Sequence, residues 1–162
     1  MNKTPSDTPA VSSLREAVAV SPDNAPLRRH LADVLLTSGH PAAAEQEYRR
    51  ALALAPDDQT TKLGLATAFA RQGKSPEALV LAEALLREAT PPPSAYLLHA
   101  RLLLRTGEAT LAAHQYRRAL EFDPALADAE LAAELGVGAG RANAAGTSMS
   151  PPPRRSGATA PA

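Results

Sequence analysis

The segment LLTSGHPAAAEQEYRRALALAPDD, residues 35–58, returns 68 residues later as LLRTGEATLAAHQYRRALEFDPAL, residues 103–126. Half of that interval is 34 residues, and a frame shifted by 34 lands on FARQGKSPEALVLAEALLREATPP, residues 69–92. Gly39 becomes Gly73 and then Gly107, Ala44 becomes Ala78 and then Ala112, and Leu35 becomes Phe69 and then Leu103. Pro56 becomes Thr90, beside Pro91–Pro93, and then Pro124. Three units, 25–58, 59–92 and 93–126, follow one another without insertion or deletion. A period of this size means a stacked array, because each unit is too small to bury its own apolar face.

Within each unit the apolar spacing reads as two helices, about 25–38 and 41–54, 59–72 and 76–89, and 94–106 and 109–122. Pro26, Pro41 and Pro76 stand in first turns, where the missing N–H has no intrahelical partner to lose. Ser75 is expected as the N-cap before Pro76. Gly39, Gly73 and Gly107 suit the left-handed residue that ends the first helix of each pair. Residues 11–24 read as the second helix of a unit whose first helix is missing, and 127–137 as a capping helix with acidic Asp128, Glu130 and Glu134 on its polar side. Residues 1–10 are expected to be a disordered N-terminus and 138–162 a disordered Gly/Pro/Ala-rich tail.

Composition narrows the function classes. The 162 residues are 44% hydrophobic and 21% charged, enough for one globular domain. Aromatics are only 3%, so Leu, Ala and Val must build the core. Net charge is zero, which argues against a whole-domain nucleic-acid or membrane footprint. There is no cysteine, so neither disulfide nor thiolate chemistry is expected. The N-terminus lacks the apolar stretch of a secretory signal, and no apolar run approaches a membrane span, so the chain reads as soluble and cytoplasmic.

The repeated residues resemble the tetratricopeptide repeat family, over 25–126 and with half-repeats on both sides. Unit 1 matches the family pattern with Leu31, Ala32, Leu35, Gly39, Ala44, Tyr48, Ala51 and Pro56. Unit 2 matches with Leu65, Ala66, Phe69, Gly73, Ala78, Ala82 and Leu85, and unit 3 with Tyr96, Ala100, Leu103, Gly107, Ala112, Tyr116, Ala119 and Pro124. The resemblance implies an all-α, right-handed α-solenoid of about three helix–turn–helix units with terminal half-repeat and capping helices. Some positions depart from the pattern. Arg28 and Lys62 stand where a bulky residue is expected, with Leu27 and Leu63 available to compensate by a small rotation. His99 replaces a buried Leu and reads either as a ligand or base, or as a histidine packed between helices.

No catalytic constellation is present. His30, His40, His99 and His114 have no partners at metal-ligand spacing, and the phosphate-loop and nucleophile-elbow patterns are absent. GVGAGRANAAG follows a helix rather than a strand and reads as a linker. PPPRR reads as a solvated tail or as a segment for a polyproline reader. No enzyme activity, metal or cofactor is therefore expected.

What remains is a surface. Stacking turns the first helix of each unit toward a concave groove. The resemblance puts Arg29, Asp33, Leu63, Thr67, Arg71, Leu97, Arg101 and Arg105 among its lining residues, in a basic groove with apolar patches. The outer helices would carry the acids Glu45, Glu47, Glu77 and Glu83. The groove suits a protein or peptide partner with acidic and apolar residues. The alternative is an adaptor or regulatory prefix of a larger enzyme assembly such as a bacterial ATPase. Nucleic acid is disfavoured by the zero net charge and the lack of stacking aromatics in the groove. One subset of the family clamps the C-terminal carboxylate of chaperone tails, and the matching positions here are Arg29, Asp33, Gly64, Ser94 and Leu98. Only Arg29 suits a carboxylate, and Asp33 repels it at a cost of several kcal/mol. Titration with an acidic chaperone C-terminal peptide should show no specific binding; micromolar binding lost on amidating the peptide's C-terminus would contradict this.

Overall fold

A computed structural model describes residues 8–137 of the chain. Residues 1–7 and 138–162, read above as disordered segments, lie outside the described residues. Eight α-helices are described: α1 (Pro9–Val20), α2 (Ala25–Thr37), α3 (Pro41–Leu54), α4 (Gln59–Arg71), α5 (Ser75–Leu86), α6 (Pro93–Arg105), α7 (Ala109–Phe122) and α8 (Ala129–Glu134). A 3-10 turn over Pro124–Leu126 joins the last two.

Local chemistry sets the starts. Thr8, Asn24, Asp58 and Asp128 cap α1, α2, α4 and α8, each accepting a first-turn N–H through its side chain. α1 starts at Pro9, two residues before Val11, because Thr8 supplies this cap. Ser75, expected as a cap, is instead the first residue of α5; Lys74 holds the cap position and no side chain accepts there. The capping helix expected over 127–137 is present but shorter, as α8, and the 3-10 turn lies just ahead of it.

The ends of the first helices are equally regular. Gly39, Gly73 and Gly107 have φ of 82°, 77° and 89°, a region that costs any residue with a Cβ. The N–H of the following residue closes back on the helix: His40 on Leu35 O at 2.9 Å, Lys74 on Phe69 O at 3.0 Å, Glu108 on Leu103 O at 2.9 Å. These are Schellman closures, which satisfy carbonyls the helix leaves open and reverse the chain into the second helix.

Packing follows from small residues. Ala32 and Ala44, Ala66 and Ala78, and Ala100 and Ala112 are all at 0% exposure between the paired helices α2/α3, α4/α5 and α6/α7. A methyl group there lets ridges and grooves engage closely. Second-neighbour contacts run between α2 and α4 and between α4 and α6, so the first helices form the inner layer of the stack. One core cluster runs from Val11 to Leu102, and a smaller one joins Ala100 and Tyr116 to Leu131 and Ala132 of α8.

The departures at Arg28 and Lys62 have a physical account. Arg28 donates to Glu47 at 2.9 Å and to Pro22 O at 2.6 Å. Lys62 pairs with Glu88 at 3.3 Å. One repeat further on, the same two positions are Tyr96 and Phe122, whose rings stack with centroids 5.5 Å apart. Ion pair and aromatic pair thus occupy the same place in successive units. Leu27 and Leu63 pack against the core as partly buried residues.

Glu45, one of the acids expected on the outer helices, is buried there. It is 4% exposed, at the seam between the first two units. It accepts from Gln72 Nε2 at 2.7 Å and from Lys74 Nζ at 2.8 Å, and Arg49 pairs with it at 2.6 Å. Desolvation pushes its carboxyl up, but the hydrogen bonds from Lys74 and Gln72 and the charges of Arg49 and Lys74 outweigh burial and hold it below the usual 4.5. A depressed carboxylate contributes stability that is complete above its unfolded pKa and is lost as pH falls through the folded one. Glu45→Gln should therefore lower stability at pH 7 by about 1.5–3 kcal/mol, the range for hydrogen bonds to a charged group. In denaturant titrations at pH 7, 5 and 3, the gap between the natural protein and the variant should hold at the first two and narrow at the third.

Candidate functional site

The inner layer carries all eight groove residues expected from sequence: Arg29 and Asp33 on α2, Leu63, Thr67 and Arg71 on α4, and Leu97, Arg101 and Arg105 on α6. The structure gathers four of them. Thr67, Arg71, Arg101 and Arg105 line one cavity of about 630 Å3, over a floor that includes Leu98 and Leu102. Arg101 and Arg105 also border a second cavity of about 460 Å3, shared with Leu104, Asp128, Leu131 and Glu134. The two hollows are contiguous through these two arginines. The other four residues lie outside both: Leu63 packs on the main core and Leu97 on the C-terminal cluster. Arg29 pairs with Asp58 at 3.3 Å, and Asp33 accepts from the Tyr48 hydroxyl at 2.6 Å.

Two kinds of contact hold the arginines. Arg29 and Arg101 reach forward to an aspartate that caps the next inner or capping helix, Asp58 at 3.3 Å and Asp128 at 2.6 Å. Arg71 and Arg105 reach backward, donating to the carbonyl of Leu36 at 2.7 Å and of Ala70 at 2.9 Å. This backward contact repeats at the 34-residue interval and meets the negative C-terminal end of the preceding inner helix, where a cation is favoured. Burial pushes the Asp58 carboxyl up, but the Thr61 hydroxyl, the Thr60 N–H and Arg29 pull it below its ordinary value. The Leu131 N–H, then Arg101, pull Asp128 down as well.

Counting inner-helix positions alone missed Asp58 and Asp128. Three aspartates, Asp33, Asp58 and Asp128, thus stand among the four groove arginines, Glu130 and Glu134 border the second hollow, and Arg71 and Arg105 are the two groove arginines without an ion pair among the described residues. The N-cap signature was the legible signal for both aspartates. A separate recess of about 440 Å3 opens among α1, α2 and α3, but its Arg28 and Arg50 are both paired with Glu47. His99 is half-buried; burial lowers its pKa against the opposing charge of Glu83, and its Nδ1 has no hydrogen-bond partner among the described residues. Among the described residues no group of three or more His, Asp or Glu is placed to hold a metal ion, and no helix is long and apolar enough to cross a membrane.

Stacked antiparallel helix pairs, closed by glycine turns and packed through alanines at a fixed repeat, define an α-solenoid. Three family profiles, each described as tetratricopeptide repeat, match residues 10–59, 35–102 and 93–126. The chain belongs to the tetratricopeptide repeat family. Among solved structures it is similar to MamA, with a TM-score of 0.67 at 16% identity, covering 79% of this chain and 74% of that one. It is also similar to YrrB, described as a TPR protein with an unusual peptide-binding site, with a TM-score of 0.64 at 20% identity. That likeness covers 78% of this chain and 64% of YrrB. No curated protein matches in sequence.

One groove residue depends on a glycine two helices away. A Cβ on Gly64 of α4 would lie 2.5 Å from Cε1 and Cζ of Tyr48, whose hydroxyl holds Asp33. Tyr48 is 1% exposed, so the ring has no room to retreat. Gly to Ala inside a helix normally gains about 1 kcal/mol, while overpacking a filled core costs about 1–3 kcal/mol. Gly64→Ala should therefore destabilise the protein by up to about 2 kcal/mol. In a Tyr48→Leu background the same change should be neutral or stabilising, which a double-mutant cycle by urea unfolding would read directly.

Proposed function

We propose that the protein is a non-catalytic, cytoplasmic protein–protein interaction module that takes a segment of a partner along the concave face of α2, α4 and α6. The observation that carries this reading is the pair of contiguous hollows across α4, α6 and α8, with an apolar floor and arginines at its rim. Leu98 is 8% exposed and Leu102 1%, so the floor belongs to the rigid core rather than to a loop. The peptide-binding site of YrrB supports the class of ligand, a peptide. The partner segment carries acidic residues among apolar ones: the acids meet Arg71, Arg101 and Arg105, and the apolar residues meet the leucines between them.

Truncating a partly desolvated charge pair costs about 2–5 kcal/mol, whereas a rim charge mainly alters the on-rate. Arg71→Glu with Arg105→Glu should therefore abolish partner capture in a pull-down while circular dichroism shows helicity retained. Arg87→Glu with Arg117→Glu, on exposed positions of the outer layer, is the matched control and should leave capture nearly intact. Arg49 is unsuitable for that purpose because it holds the buried Glu45. Capture lost in the outer-layer variant and kept in the groove variant would move the binding surface to the convex side.

A further inference from the structure

Most cations of the inner and outer layers are already neutralised. Arg28, Arg29, Arg49, Arg50, Lys62 and Lys74 each sit within ion-pair distance of a carboxylate. Arg71 and Arg105 differ: neither forms an ion pair among the described residues, and each is held by a backbone carbonyl. A carbonyl orients a guanidinium without cancelling its charge. Each arginine uses one N–H in that contact and keeps the rest of its five donors. Both face the same hollow of about 630 Å3, together with Arg101, and no carboxylate lines it. Arg101 is paired with Asp128, which leaves Arg71 and Arg105 as the two arginines of this hollow without an ion pair among the described residues; Glu130 and Glu134 border only the adjoining hollow.

We infer that this hollow is a site for a doubly charged phosphoryl group on a side chain of the bound partner, a phosphorylated serine or threonine flanked by apolar residues. The inference rests on the groove reading and names the group that anchors the ligand there. A single carboxylate would leave one of the two charges unmatched. A phosphoryl dianion matches both, and its three terminal oxygens accept from donors that approach from two different helices. The hydroxyl of Thr67, on the same wall, already donates to Leu63 O at 2.9 Å, so its proton is committed and the arginines supply the donors to the phosphoryl group. Asp128 places the anion toward Arg71 and Arg105, away from the second hollow, because a carboxylate repels it at the Arg101 end.

The test needs no knowledge of the partner. Full-length 15N-labelled protein is titrated with N-acetyl-O-phosphoserine amide, and the side-chain Nε–Hε signals of Arg71 and Arg105 are followed by NMR. Saturable shifts of both signals are expected. Binding should be about tenfold tighter than for N-acetyl-glutamate amide, the factor that one further charge-assisted hydrogen bond supplies. The capped, unphosphorylated serine should produce no saturable shift. Arg105→Gln should lose the effect at Arg71, and Arg117→Gln should preserve it. Should Arg105→Gln fail to fold, Arg71→Lys keeps the charge, loses the planar fork, and should still weaken binding. No saturable shift, equal binding of the glutamate compound, or unchanged binding in the Arg105 or Arg71 variant would overturn the inference. A protein that captures its partner through the groove yet ignores phosphoserine would keep the groove reading and lose only this one.

Discussion

The six alanines between paired helices have no solvent exposure, and the remaining geometry depends on how close they let each pair come. A protein interior is packed as densely as an organic crystal, so a larger residue at any of these positions would push two helices apart and carry the neighbouring unit with them. The inner layer, and hence the hollow between α4 and α6, exists because the pairs are thin where these methyl groups meet. Gly64 continues the same economy of size one helix further on. By leaving out a Cβ, it makes room for the buried ring of Tyr48 and through it fixes Asp33 on the groove wall.

Charge then works along the stack rather than across it. Forward contacts tie Arg29 to Asp58 and Arg101 to Asp128, and backward contacts tie Arg71 and Arg105 to carbonyls of the preceding inner helix. Each inner helix is joined to a neighbour at its ends, where the backbone leaves donors and acceptors without intrahelical partners. Only the arginines of the backward contacts, Arg71 on α4 and Arg105 on α6, have no ion pair among the described residues. At the outer seam, Glu45 bridges Lys74, Gln72 and Arg49, an arrangement in which a buried carboxylate is tolerated because three donors satisfy it.

Repeat identity is not strict, and the exceptions are paired. Lys62 with Glu88 and Tyr96 with Phe122 fill the same two positions of successive units by different forces, an ion pair in one and a stacked aromatic pair in the other. A position that looks anomalous within one helix is therefore ordinary once its partner on the other helix is known. Tyr116 shows the same principle: its hydroxyl donates to the carbonyl and accepts from the N–H of Asp128, so it anchors the entry to α8.

The sequence by itself determined the family, the all-helical fold and the glycines that end the first helix of each pair. These follow from local chemistry repeated at 34 residues: prolines in first turns, glycines at positive φ, alanines where helices cross. The eight residues expected to line a groove lie on α2, α4 and α6, and four of them, Thr67, Arg71, Arg101 and Arg105, line one hollow. The sequence did not reveal that Glu45 is buried, that Asp58 and Asp128 neutralise two of the arginines, or that Tyr48 presses on Gly64. Those facts join residues far apart in the chain and on different helices, such as Arg29 and Asp58 or Tyr48 and Gly64, at distances set by the packing of whole units, and no periodicity along a single chain encodes which of two neighbouring charges will meet. Only the tertiary structure decided where charge is left over, because neutralisation depends on a few ångströms of separation that the repeat leaves open.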